Sequence, residues 1–212
     1  MKKILLSGFA FILFVTLLTG CSKKEEETLP EPLMLAQHSV PVIIDDLEIV
    51  VGTTTLQPLL DADLPIIVSE WVDDHVEERE IDSNETLAAG TSMTEISFWI
   101  TDSVFARISV EAGESDIRMG DATISRLALH LSHLTDTLPD YIFIDGVSIT
   151  ELSRTRAAQM FPDFEQDDLS VMQQGEDYRC TLMFSPGTYA LYQFSLVKGP
   201  KEESILPPST IW

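Results

Sequence analysis

The chain has 212 residues, 13 of them Lys or Arg and 35 Asp or Glu, for a net charge of −22. That balance excludes nucleic-acid binding on a basic surface and disfavours docking onto anionic lipid headgroups. Cationic partners or divalent cations would be attracted, although such acidity also serves plain solubility.

Met1-Lys2-Lys3 is a short basic start, and Ile4 to Thr16 follows without a charge. This is the plan of an export signal, and its end, Leu18-Thr19-Gly20-Cys21, resembles the lipobox of bacterial lipoproteins. The resemblance implies cleavage before Cys21 and a diacylglycerol on its thiol. Two acyl chains give stable anchoring, and Lys2 and Lys3 on the inner side turn the rest of the chain outward. The expected address is the extracytoplasmic face of the cell membrane, with residues 1–20 as signal peptide. An uncleaved membrane span is the alternative, at the short edge of what crosses a bilayer. Loss of Lys2 and Lys3 leaves 11 basic against 35 acidic residues, a net −24. Once Cys21 is lipidated only Cys180 remains, so no internal disulfide can form. Its setting in a β-type run reads as buried and inert.

Residues 21–39 read as a charged, Pro-containing tether that cannot offset its ordering entropy by burial. Val42–Val51 reads as two short strands around the Asp45-Asp46 turn. A short helix should follow Gly52, with Thr54 as cap, Gln57 as its capping-box partner and Pro58 in the first turn. Residues 70–86 are acidic and poorly patterned. Met93–Ile100 and Val104–Val110 form a hairpin across 101–103. Ile124–Leu134 fits either element, and its alternating Ser, Arg and His favour a strand. Tyr141–Ile144 runs into the Asp145-Gly146 turn and a second short strand. A helix capped near Ser153 ends at Pro162. Tyr178–Phe184 and Tyr189–Val197 make the last hairpin across 185–188.

These elements predict an α+β fold of antiparallel sheets with short helices on one face. It is organised as one domain or as two tandem units, 40–135 and 136–198, with a flexible tail at 199–212. Ile44–Thr53 and Ile144–Ser153 echo each other, a pattern too short to establish a duplication.

Ile43–Leu64, especially Val51–Ala62, with Thr86–Gly90, the 93–111 hairpin and Ile142–Pro162 followed by an aromatic hairpin, together resemble a broad group of uncharacterised exported lipoproteins from Gram-positive, clostridia-like bacteria. The second half is similar to the helix-plus-sheet unit of the small barrel-assembly lipoprotein and of tandem-repeat β-lactamase inhibitory proteins. Met160-Phe161-Pro162-Asp163 departs from the group's usual Gly-Lys-Pro-Asp. The group has no agreed activity, so it assigns no functional residues. The related folds bind proteins, which favours binding over catalysis.

No constellation carries chemistry on its own. Ser195-Leu196-Val197-Lys198 lies on a strand and lacks the companion motifs of penicillin-recognising enzymes. His130 and His133 share a face only on a helix. Asp73, Asp74, His75, Glu77, Glu78 and Glu80 lack a Ca²⁺-loop pattern, and Asp163, Glu165, Asp167 and Asp168 make a weaker case. Asn84-Glu85-Thr86 is a glycosylation sequon without weight in a bacterial lipoprotein. No catalytic residue, metal or cofactor is assigned beyond the lipid on Cys21. Tyr189, Tyr192 and Phe194 are the candidate binding surface, with Tyr189 and Leu191 expected on one face of the last strand and Tyr192 and Phe194 on the other. The leading functional reading is a membrane-anchored, non-catalytic module that binds an envelope or secreted protein through a sheet face. The alternatives are a cell-wall-acting enzyme using carboxylates and a small-ligand or cation-binding lipoprotein.

Overall fold

The computed structural model describes residues 40–62, 64–72, 75–132, 138–175 and 177–199. All of them lie in one compact unit. Cys21, the signal and tether, residues 200–212, Asp73, Asp74, His133 and Leu134 lie outside the described residues.

In chain order the elements are β1 (Val42–Ile44), β2 (Leu47–Ile49), α1 (Gln57–Asp61), β3 (Ile67–Val72), β4 (His75–Glu80), β5 (Thr86–Leu87), β6 (Ser92–Thr101), β7 (Val104–Glu111), β8 (Ile117–Arg118) and β9 (Thr123–Leu131). They continue with β10 (Ile142–Ile144), β11 (Val147–Ser148), α2 (Arg154–Met160), β12 (Glu165–Gln166), β13 (Ser170–Gln174), β14 (Tyr178–Phe184) and β15 (Leu191–Lys198). The fold is α+β, dominated by antiparallel sheet with two short helices. One sheet has four strands in the order β11-β10-β1-β2. A second has nine, in the order β12-β13-β14-β15-β9-β7-β6-β3-β4, and β5 pairs with β8.

Strands from 40–135 and from 136–198 share both larger sheets, β1 with β10 and β9 with β15. The described residues of the two halves thus contribute to the same sheets and to one buried cluster. The echo between 44–53 and 144–153 acquires a geometric meaning. β1 and β10 are antiparallel about Ile43 and Phe143. The Asp45 amide donates to the Tyr141 carbonyl at 3.0 Å and the Asp145 amide to the Pro41 carbonyl at 2.9 Å, so the two hairpins are related by an approximate two-fold. The nine-stranded sheet follows the same plan. Outward from its centre it reads β9, β7, β6, β3, β4 on one side and β15, β14, β13, β12 on the other.

Period-2 alternation builds the core. Phe98 and Ile96, Ala106 and Ile108, Leu127 and Leu129, Phe194 and Leu196, Leu182 and Phe184 are all buried on one face of the large sheet. The four-stranded sheet adds Val42, Ile44, Ile49, Ile142 and Ile144 to the same cluster, and the helical segments add Leu56, Leu59, Ala157, Met160 and Phe161. Ser153 caps α2 as expected, its Oγ accepting from the Arg156 amide at 3.2 Å. Thr54 does not cap α1. Its Oγ1 accepts from the Val50 amide at 2.9 Å, and the helix starts from Leu56 without a side-chain cap, with Pro58 in its first turn. Asp145 (φ 52°) and Gly146 (φ 76°) both take the left-handed conformation that a two-residue hairpin turn requires.

Residues 75–80, unpatterned in sequence, form the edge strand β4, and Ile124–Leu131 is strand. The other edge, β12, has two residues. A charged edge strand and a very short one both resist pairing with another chain.

Candidate functional site

The outer face of the nine-stranded sheet carries the residues that alternate with the core. Cross-strand register orders them into rows. The first row is Trp99, Phe105, His130, Gln193 and Met183, from β6 to β14. The second is Ser97, Arg107, Ala128, Ser195 and Thr181. The third is Ser109, Arg126, Val197 and Arg179. The middle row is mostly short side chains, with Ala128, fully buried, as its floor. Trp99 is 55 % exposed, Arg107 is exposed, and Arg126, Arg179, His130 and Phe105 are half-buried.

The aromatic row is continuous. Trp99 and Phe105 have ring centroids 4.9 Å apart, and Phe105 and His130 lie at 6.3 Å. The Arg107 guanidinium carbon lies 5.7 Å from the Phe105 ring centre, a cation–π contact. Trp99, Phe105 and Arg107 also line a depression of about 520 Å³ with Pro65, Glu78 and Glu95.

The three arginines set the electrostatics. Most other described cations are engaged, Arg156 on α2 being an exception: Arg79 with Glu70 and Glu85, Arg118 with Asp121, Lys198 with Glu111, and Arg154 with the Asp167 carbonyl. Arg107, Arg126 and Arg179 hold no ion pair or hydrogen bond among the described residues, and Arg126 Nε is a buried donor without a partner. Burial, then the charges of Arg179 and Arg107, push the Arg126 guanidinium below its ordinary value, with Glu95 acting the other way. Burial, then Arg107 and Arg126, lower His130 as well. Like charges are thus gathered on one face of a strongly acidic chain. Such a face offers planar, forked donors to an anion.

The expected aromatic surface does not form. Phe194 is fully buried in the core and Leu191 is 1 % exposed. Met183 pairs with Gln193 and Phe184 with Leu191, so a bulge leaves Tyr192 unmatched and shifts the alternation by one residue. Tyr192 turns to the outer side, its hydroxyl 3.5 Å from Met183 Sδ. Tyr189 is 49 % exposed in the connecting loop at φ 54°. Sequence reasoning missed Arg107, Arg126, Arg179, Trp99 and Phe105. The available signal was an arginine at a polar position of three apolar strands in a chain poor in cations.

His75 pairs with Glu77 at 2.9 Å on the edge strand, and among the described residues no three His, Cys, Asp or Glu are placed to hold a metal. Asp167 accepts from the Leu169 amide and from Ser170, contacts that hold its carboxyl below the usual range and shape the turn before β13. Cys180 is buried, and burial followed by Asp145 pushes its thiol up to about 12. Ser195 faces the outer trough and Lys198 pairs with Glu111, so they form no catalytic couple. A second depression, about 730 Å³, joins Asp45, Asp46 and Asp61 to Leu47, Pro58 and Tyr141. No helix among the described residues is long and apolar enough to cross a membrane. Comparison with protein-family models, curated proteins and solved structures finds no match.

Proposed function

We propose that this chain is an exported lipoprotein anchored through Cys21, whose folded part is a non-catalytic module that binds an envelope or secreted protein with the outer face of the nine-stranded sheet. The lipobox-like Leu18–Cys21 supports the address. The observation that carries the binding reading is the outer face itself. It combines the exposed Trp99, packed on a half-buried Phe105, with three arginines whose side chains make no ion pair or hydrogen bond among the described residues. Aromatic and arginine side chains are the residues that dominate binding interfaces.

The test is crosslinking of the tagged protein in the membranes of its own host, followed by mass spectrometry, with Cys21→Ala as control. The expected result is one envelope protein enriched with the anchored form alone. Crosslinks spread evenly over unrelated proteins would overturn the reading.

A further inference from the structure

We infer, building on the binding-module reading, that the outer face takes a protein segment pairing carboxylates with one apolar side chain, the carboxylates held by Arg107, Arg126 and Arg179 and the apolar group by Trp99 and Phe105.

Three features of the face select this chemistry. The first is the missing counter-charge. The mature sequence carries 35 acidic residues against 11 basic ones, yet within the described fold these three arginines make no ion pair, Glu95 and Glu78 lying near the face without bonding to them, and Arg126 Nε has no acceptor. A carboxylate relieves the repulsion and supplies forked, charge-assisted hydrogen bonds. The second is the background charge. A net −24 repels any long polyanion at distance, so the face suits a short acidic motif on a protein rather than a phosphate polymer. The third is the neighbouring aromatic row. Trp99, 55 % exposed and packed on Phe105, offers apolar area that a purely ionic ligand leaves wet.

The spacing sets the motif. The Arg126 and His130 rows are four residues apart along β9, about 13 Å at the rise of a strand. An extended segment lying along the strands presents a carboxylate and an apolar side chain to the same face at that spacing.

The experiment is titration of the full-length protein, in neutral detergent, with a labelled peptide bearing two glutamates two residues apart and a phenylalanine four residues after the first, so that all three share one face of an extended segment. The comparisons are the same peptide with glutamines and inorganic polyphosphate. The glutamate peptide is expected to bind roughly tenfold more tightly than the glutamine peptide. Arg126→Met and Arg179→Gln should each remove most of that preference while thermal melts show intact folds. Trp99→Ala should weaken both peptides and leave the preference. Equal binding of the two peptides, preference for polyphosphate, or no binding of the glutamate peptide at millimolar concentration overturns the inference. Binding that emerges only after removal of residues 200–212 assigns the face to the chain's own tail and overturns it too. A partner crosslinked through this face while the peptide stays silent would leave the binding module standing and refute its acidic chemistry alone.

Discussion

Replacing Arg126 with Met should make the protein more stable. Met keeps the apolar stem that packs along the sheet and removes the guanidinium. Arg179 lies in the same row two strands away, about 10 Å, and Arg107 on the diagonal, about 8 Å. Each repulsion is then about 0.5 kcal/mol in a water-like medium and up to about 2 kcal/mol nearer the protein interior. Both guanidinium neighbours reach solvent, so the lower figure applies, and salt reduces it further. The unpartnered Nε adds about 1 kcal/mol, the low end for a buried unsatisfied donor, because the other nitrogens keep water. Loss of the attraction of Glu95 works the other way. The net gain is about 1 kcal/mol, or about 3 °C in melting temperature for a domain of this size. Thermal melts at low and high salt measure it, and the gain should shrink as salt rises. A melting temperature unchanged or lowered at low salt would refute the reasoning, because Arg126 would then be satisfied within the fold.

His130, held below 6.5 by burial and by Arg107 and Arg126, binds protons better in the unfolded chain. Stability is therefore greatest above pH 6.5 and declines as the pH falls through the lowered folded value. His130→Gln should flatten that part of the profile in denaturant titrations run across it. Asp145 is the opposite case: half-buried, raised above 3.8 by burial, with Oδ2 unpartnered. Its contribution is present below 3.8 and lost as the pH rises through the folded value. Asn tolerates its left-handed φ of 52°, so Asp145→Asn should melt about 2 °C higher at pH 7, with the difference narrowing towards pH 3.8. Gly52 sits at φ 86°, and an added Cβ would lie 2.7 Å from the Tyr178 hydroxyl. Gly52→Ala should cost about 1–2 kcal/mol by chemical denaturation, and an unchanged midpoint would mean that the turn relaxes freely.

Local structure was legible wherever alternation or turn chemistry acts within a few residues. The 93–110 and 178–197 hairpins, the Asp145-Gly146 turn and the Ser153 cap are of this kind. β4 escaped because His75–Glu80 alternates nothing: this strand lies beyond the core and buries no residue, and even Val76 is 48 % exposed. Thr54 misled because its hydroxyl serves the preceding turn. The joining of β9 to β15 depends on partners far apart in the chain, which no local pattern encodes. The site was lost to one residue. The bulge at Tyr192 reverses the alternation, so Phe194 points inward where period 2 counted from Tyr192 pairs the two on one face. The arginines were visible singly, but their gathering exists only through register across β7, β9, β15 and β14.

The most direct test places a photo-crosslinking amino acid at Gln193 or Thr181 on the outer face, and at Gln159 on α2, in the full-length chain expressed in its own host. One crosslinked partner is expected from Gln193 and Thr181, none from Gln159, and loss of the product when Arg126 is replaced by Met. The same partner captured from Gln159 with the outer face silent would contradict binding through the outer face.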